Sequence, residues 1–444
     1  MKYKINKDLK LYIEQNILPE YQKNEAGHDI NHINNVIKYS LKFAESVKDI
    51  DYNMVYAIAA YHDIAHHIDA KNHEKLSAEI LASDERLKDF FNDGQIKVMS
   101  EAVYDHRSSR EGDQRSIYGK IVASADKKMG FDDPLKRTYS YRMEHFPNST
   151  LADICEESRQ HLINKFGKSG YANKKSYFED LDYDRFLEHI RNLTSDKKKF
   201  ERRYIKVNHI SSLDWLTKDV RCDLKKYISD NILPEYSKND GGHNQAHILE
   251  VIRRSFELNK AFHLSLDPNM MYAIAACHDR GKYEDYERHH LIATQYFIND
   301  DNFCHFFNNQ QRTIIKEAIE DHRSSKEDEP RSTYGKLISS ADRNSRIDIV
   351  FVRSFFVAHE RMPDAVISDY LDYTIERLSK KYSETNPENM FYEDRIYKTF
   401  LREMRNLLKN ETEFKDRYCS VNHISSRQNL VKEEPGAIEF LSGY

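Results

Sequence analysis

The sequence predicts an all-α protein made of two tandem helical domains, and three observations carry that reading. Apolar residues recur at spacings of three and four rather than two, as an amphipathic helix requires. Only 13 Gly and 9 Pro interrupt 444 residues, fewer breakers than a strand-rich chain of this length needs for its turns. The third observation is an internal repeat. LKLYIEQNILPEYQKNEAGHDINHI from Leu9 returns as LKKYISDNILPEYSKNDGGHNQAHI from Leu224. EAVYDHRSS at Glu101 returns as EAIEDHRSS at Glu317, RSIYGKIVASAD at Arg115 as RSTYGKLISSAD at Arg331, and VNHISS at Val207 as VNHISS at Val421. The offset is 215 residues at the start, far above the roughly 20–50 of solenoid repeats, so it marks a duplicated domain. Copy one is assigned to residues 1–212, a short connection to 213–221, copy two to 222–430 and a C-terminal tail to 431–444. So short a connection predicts that the two domains pack on each other.

Within copy one the pattern predicts a first helix over residues 9–17, ended by Leu18-Pro19. A second follows over 32–47 and a third over 54–66. Segments 77–82, 95–104 and 117–125 continue the same apolar spacing, and no convincing alternating strand interrupts them.

Composition narrows the class of function. A net charge of −5 argues against an extended surface for nucleic-acid backbones, which needs clustered Lys and Arg. The densest basic run, Lys197-Lys198-Lys199 with Arg202 and Arg203, reads as a solvated helix face. Five cysteines without a C-x-x-C pair describe a reduced, cytoplasmic protein without a disulfide framework or zinc ribbon. The N-terminal MKYKINKDLKLYIEQ lacks the apolar core of a signal peptide, and no apolar run approaches the roughly 18 residues that span a bilayer, so no membrane partner is expected.

Polar residues punctuate the predicted helices in one fixed order. Copy one has His28 and His32, His62 and Asp63, His73, His106 and Asp126; copy two has His243 and His247, His278 and Asp279, His289, His322 and Asp342. From the first aspartate the steps are ten, thirty-three and twenty positions in both copies. A lone histidine on an apolar helix is ordinarily a packed core residue, and two copies of any sequence match at first. Divergence is therefore the informative part. His66 is replaced by Lys282, His67 by Tyr283 and His145 by Arg361, while the ordered His and Asp positions stay. Imidazole and carboxylate without thiolate suit borderline divalent ions: four ligands can hold one, six can hold two with water between them.

The order His, His-Asp, His, His, Asp resembles the HD-domain superfamily of metal-dependent phosphohydrolases. GHDINHI, HDIAH, HDRGK, NHEKLSAE, DHRSS and SAD carry the resemblance, which covers nearly the whole chain twice and is similar to small bacterial HD hydrolases. It implies that His32, His62, Asp63 and Asp126 ligate a first metal and that His73 and His106 supply a second. The matching set is His247, His278, Asp279 and Asp342, with His289 and His322. One or two divalent ions per domain are expected, with manganese, iron, cobalt, nickel, magnesium and zinc all open. The implied reaction is attack of metal-activated hydroxide on phosphorus in a small phosphorylated substrate, a nucleotide or other phosphate ester.

Other residues are expected around the metals. Lys282 fits the Lys of an HD-x-G-K form and is a candidate phosphate contact; His66 occupies that place in copy one. Arg107 and Arg323 read as phosphate clamps or as salt-bridge partners of Asp105 and Asp321. His28, His243 and His66 are expected behind the ligands or against substrate. After the last aspartate, copy one continues with Lys127, Lys128, Lys136, Arg137 and Arg142, a candidate polar substrate wall, whereas RNSRIDIVFVRSFFVA in copy two suggests a more apolar pocket or a domain interface. Two other readings remain open on sequence alone: an HD-type diiron oxygenase, and a nucleotide-sensing regulatory module.

Overall fold

The computed structural model describes residues 4–24, 27–107, 112–173, 177–178, 180–239, 242–323, 328–343, 346–383 and 390–425, so the tail at 431–444 lies outside the described residues. Among these the chain is all-α, with no strand and a single isolated bridge between Thr150 and Arg221. No described helix is long and apolar enough to cross a membrane. Two compact units divide it, Met1–Pro147 with Ala152–Ser211, and Asn148–Leu151 with Ser212–Tyr444.

Unit one begins with α1 (Lys7–Tyr12), whose first N–H groups are capped by the Asn6 side chain at 2.9 and 3.2 Å. The expected stop at Leu18-Pro19 does not occur. A π-turn (Ile13–Ile17) and a 3₁₀ turn (Leu18–Lys23) carry the winding on, because Pro19 falls in the first turn of the new helix, where no N–H is needed. Leu9, Ile13, Ile17 and Tyr21 thereby share one buried face. Helix α2 (Ile30–Ala44) starts on Asp29, whose carboxylate accepts from Asn31 N and His32 N, and buries His32, Val36, Ser40 and Ala44 along a stripe.

Helix α3 (Tyr52–Tyr61) is buried on every side from Met54 onward and forms the axis of the core. It stops five residues before the expected end at His66. Its terminal carbonyls are taken by side chains instead: His62 Nδ1 donates to Ala59 O at 2.9 Å and Tyr21 Oη to Ala60 O at 2.8 Å. Around it stand α4 (His73–Ser83), α5 (Asp93–Tyr104), closed by an Asn92–Gln95 capping box, and α6 (Ile117–Asp126), capped by Ser116. Four more helices complete the unit: α7 (Asp133–His145), α8 (Leu151–Phe166), α9 (Leu181–Ser195) and α10 (Lys197–Val207). On α10 the residues Lys197, Lys198, Lys199 and Arg202 are exposed, as a solvated face requires, and Arg203 pairs with Asp132 at 2.6 Å.

Unit two runs α11 (Ser212–Leu216), α12 (Cys222–Tyr227), a π-turn (Ile228–Ile232), a 3₁₀ turn (Leu233–Lys238), α13 (Gln245–Ala261) and α14 (Pro268–Cys277). Then come α15 (His289–Asn299), α16 (Phe303–Phe306), α17 (Asn309–Asp321) and α18 (Thr333–Ala341). A second apolar cluster gathers on α19 (Ile347–Arg361), α20 (Ile367–Lys381), α21 (Arg395–Lys409) and α22 (Glu411–Val421).

Burial on α3 gives a direct check on this core. Ile58→Ala removes a side chain with no exposed surface and should cost about 2–5 kcal/mol. Leu11→Ala, on a face 52% exposed, should change stability by no more than about 0.5 kcal/mol. Urea unfolding followed by circular dichroism separates the two.

Candidate metal centres

In unit one the end of α3, the starts of α2 and α4 and the ends of α5 and α6 converge on Asp63. One carboxylate oxygen, Oδ2, lies 3.5 Å from His32 Nε2 and 3.4 Å from His62 Nε2. Asp126 Oδ1 closes that side, 3.2 Å from His32 Nε2 and 3.7 Å from His62 Nε2. The other oxygen, Oδ1, lies 3.2 Å from both His73 Nε2 and His106 Nε2. Two ligand groups therefore share one aspartate: His32, His62, Asp63 and Asp126 on one side, and Asp63, His73 and His106 on the other. All are buried except the partly exposed Asp126.

Backbone carbonyls set the direction of the imidazoles. His62, His73 and His106 each donate Nδ1–H to the carbonyl three residues earlier, on Ala59, Ala70 and Val103, at 2.9, 3.0 and 2.6 Å. A carbonyl only accepts, so Nδ1 keeps its proton and Nε2, which faces inward, is the nitrogen left to ligate. His32 Nε2, His62 Nε2 and Asp63 Oδ1 are buried with no hydrogen-bond partner. Buried acceptors aimed at common points, unsatisfied within the protein, are what a divalent cation with nitrogen and oxygen ligands requires, and the residues fit such an ion.

Unit two repeats this geometry. Asp279 Oδ2 is 3.5 Å from His247 Nε2 and 3.6 Å from His278 Nε2, and Oδ1 is 3.1 and 3.5 Å from the Nε2 atoms of His289 and His322. Asp342 Oδ1 reaches the same two imidazoles as Asp279 Oδ2, at 3.1 Å from His247 and 3.7 Å from His278. The carbonyl bonds recur from His278, His289 and His322 to Ala275, Tyr286 and Ile319 at 2.9, 2.7 and 2.6 Å.

Residues 29–128 match the family model of the HD domain. That segment contains the whole first cluster, from His32 to Asp126. No curated protein and no solved structure matches the chain.

The surroundings of the two HD aspartates differ. Asp63 Oδ2 is also held by His28 Nδ1 at 2.7 Å, and His28 stacks on His66 with ring centroids 3.8 Å apart. At Asp279 the outer contact is Lys282, whose Nζ lies 3.1 and 3.2 Å from the two carboxylate oxygens. Gly281 has φ +79°, a left-handed turn that brings Lys282 onto its aspartate, and a Cβ there would meet Ile292 and Tyr296. Ala65 fills that place in copy one without positive φ. His243 lies edge-on to His247, with centroids 5.6 Å apart.

The arginines after the fourth histidines do not pair with Asp105 and Asp321. Arg115 and Arg331 hold those carboxylates, with Nη2 contacts of 2.8 and 2.9 Å. Arg107 Nη1 instead donates to Lys71 O at 2.7 Å and to Glu74 at 3.2 Å, and Arg323 Nη2 to Glu287 at 3.0 Å. Of the basic wall expected in copy one, Lys128 is paired with Asp180 and Arg142 with Glu157. Arg137 alone of these three reaches the cluster, 3.4 Å from His32 Nδ1, and packs where a Cβ on Gly27, at φ +113°, would collide with it. The corresponding stretch of copy two is not simply apolar. It contributes Arg343 and Arg353 to a cavity of about 310 Å³ beside His289 and His322, and Ile349, Val352 and Phe356 to an adjoining one of about 400 Å³. Arg377 and Lys381 on α20, which line the same cavity as Lys282 and Arg323, were missed in the sequence because they lie far along the chain from any motif.

Charge balance in the clusters predicts how ions enter. Burial alone would lower His62, but the charges of Asp63 and Asp126 prevail and lift it to about 10; His32 is raised for the same reason. Burial likewise works against ionisation of Asp63 and Asp126, yet the imidazoles hold both well below the usual carboxylate range. Asp63 and Asp126 thus carry no proton at pH 7, whereas His62 in the metal-free protein holds a second proton, on Nε2, which an entering ion displaces. Manganese binding at pH 7 should release protons, and each one released should weaken affinity about tenfold per pH unit lowered. Calorimetric titration in buffers of different ionisation enthalpy reads the proton count; an affinity flat between pH 6 and 8 contradicts the assignment.

Proposed function

We propose that both units are HD-type phosphohydrolase domains, a tandem pair acting on a nucleotide or other small phosphate ester with divalent metal ions. The observation that carries this reading is the HD aspartate whose two oxygens face two separate histidine groups, in Asp63 and again in Asp279. A carboxylate used in this way suits a pair of neighbouring cations better than one. Bound cations would polarise a water molecule and stabilise negative charge on phosphoryl oxygens.

The remaining chemistry belongs to the chain. His32, His62 and Asp126 would hold one ion and His73 with His106 the other, and the carbonyl bonds at Nδ1 keep the rings of His62, His73 and His106 from turning. In unit two His247, His278 and Asp342 take the first part and His289 with His322 the second. Lys282 and Arg323 both line the unit-two cavity and bring positive charge to substrate oxygens. Arg107, held by Glu74, stands next to His106 and serves unit one in the same way.

Alanine substitution of the shared aspartates tests the reading. Asp63→Ala and Asp279→Ala should each remove the turnover of its own unit, and the double variant should lose at least about a hundredfold in phosphate release from a nucleotide panel with manganese. Wild-type turnover in the double variant would exclude catalysis at these clusters.

A further inference from the structure

Two cavities of unit two meet at the metal cluster and differ in character. The one of about 310 Å³ presents mainly polar atoms and the one of about 400 Å³ mainly apolar atoms, and Asp342, Arg343 and Arg353 line both. His247 borders the apolar cavity as well, so whatever fills it lies against the ligand groups. Its apolar wall comes from one face of α19, where Ile349, Val352 and Phe356 follow one another at helical spacing. Neither apolar cluster described in unit two takes up these three side chains, and each is only part-buried. The face of α19 that is buried carries Val350, Phe351, Ser354 and Ala358 instead. Among the acidic residues around the cavity, Asp348 is held by Arg417 at 3.0 Å and Glu250 by Arg253 at 3.4 Å.

Unit one supplies an internal comparison. At the offset of 216 that aligns Asp126 with Asp342 and His145 with Arg361, the positions of Ile349, Val352 and Phe356 are held by Asp133, Lys136 and Ser140. Ala246, on another wall of the cavity, corresponds to Asn31. The positions beneath stay apolar, since Val350 and Phe351 match Pro134 and Leu135, buried in both units. Polarity thus differs on the face toward the cavity and not on the face toward the core. Packing of the helix does not account for that. An apolar surface beside a polar site is what a ligand with one charged and one apolar end fills. A volume of about 400 Å³ suits a compact ring system, and Phe356 offers it an aromatic neighbour.

We propose that unit two takes a phosphate ester of an aromatic alcohol, with the ring in the cavity walled by Ile349, Val352 and Phe356, and that unit one does not share this preference. The place of the phosphate, on the Asp279 cluster, rests on the phosphohydrolase reading; the ring site does not.

Full-length protein with manganese is titrated calorimetrically with naphthyl phosphate and with glycerol phosphate. Naphthyl phosphate should bind at least about tenfold more tightly, and at a single site. Val352→Lys with Phe356→Ser, which installs the unit-one residues, should remove that advantage and leave glycerol phosphate within about twofold. Phe356→Tyr keeps a ring and should stay within about threefold. Thermal melting checks each variant, and where the double variant fails to fold, Val352→Lys alone carries the comparison with the same direction of loss. Naphthol, which has no phosphate, should lose binding in the same variants without added metal. Equal affinity for the two esters overturns the proposal, as does a second site of equal preference or a preference that survives in the variants. Binding about tenfold tighter on deletion of residues 426–444 would assign the cavity to the chain's own C-terminus and also overturns it. Manganese-supported hydrolysis of both esters is measured in parallel. Its absence with the ring preference intact contradicts the phosphohydrolase reading and leaves the ring site standing; hydrolysis without any ring preference does the reverse.

Discussion

One hydrogen bond, repeated, fixes both candidate centres: the imidazole Nδ1–H donated to the carbonyl three residues earlier. It occurs at His62, His73 and His106 and again at His278, His289 and His322. Each bond satisfies a backbone oxygen, keeps a proton on Nδ1 and holds a ring, so that Nε2 faces a buried carboxylate. At the end of α3 it also shapes the fold. With Ala59 O taken by His62 and Ala60 O by Tyr21, the helix ends at Tyr61, and the following turns bring Asp63 round to face α2, α4, α5 and α6. Site and helix terminus are thus one construction, and Tyr236 on Ala276 O at 2.7 Å serves unit two in the same way.

The two centres share their inner geometry and differ in what leans on the HD aspartate. In unit one a stacked pair of imidazoles, His28 on His66, presses on Asp63; burial first and its histidine neighbours second push His66 down to about 3. In unit two an ammonium takes that role, made possible by the left-handed Gly281. There burial outweighs the carboxylates around His322, which falls to about 4. A histidine pair and a lysine offer a phosphoryl group different partners, which gives the two units a physical basis for unequal substrates.

Much of this was legible in the sequence, for reasons visible in particular residues. Helix class followed from apolar spacing, and the polar residues that converge on Asp63 followed from their order, because a metal ligand cannot move by one helical position and stay in place. Helix ends were less legible. The stretch after Tyr61 continues an apolar helical pattern, and only the tertiary contacts of Tyr21 and His62 end it. Pro19 reads as a stop until the chain is seen to change its winding there. The partners of Arg107 and Arg323 were misread because the nearest carboxylates in sequence, Asp105 and Asp321, are claimed by arginines ten residues on. Of the cations in the unit-two cavity, Lys282 and Arg323 belong to motifs, whereas Arg353, Arg377 and Lys381 carry none and join them only when α19 and α20 fold beside the cluster.

In the proposed centres one carboxylate serves two cations. Anomalous diffraction from crystals grown with manganese, recorded on both sides of the manganese edge, reads that arrangement directly. The expected result is a pair of peaks in each unit, one at each oxygen of Asp63 and one at each oxygen of Asp279, with the histidine Nε2 atoms around them. Peaks absent from both clusters, or manganese bound only elsewhere on the chain, would contradict it.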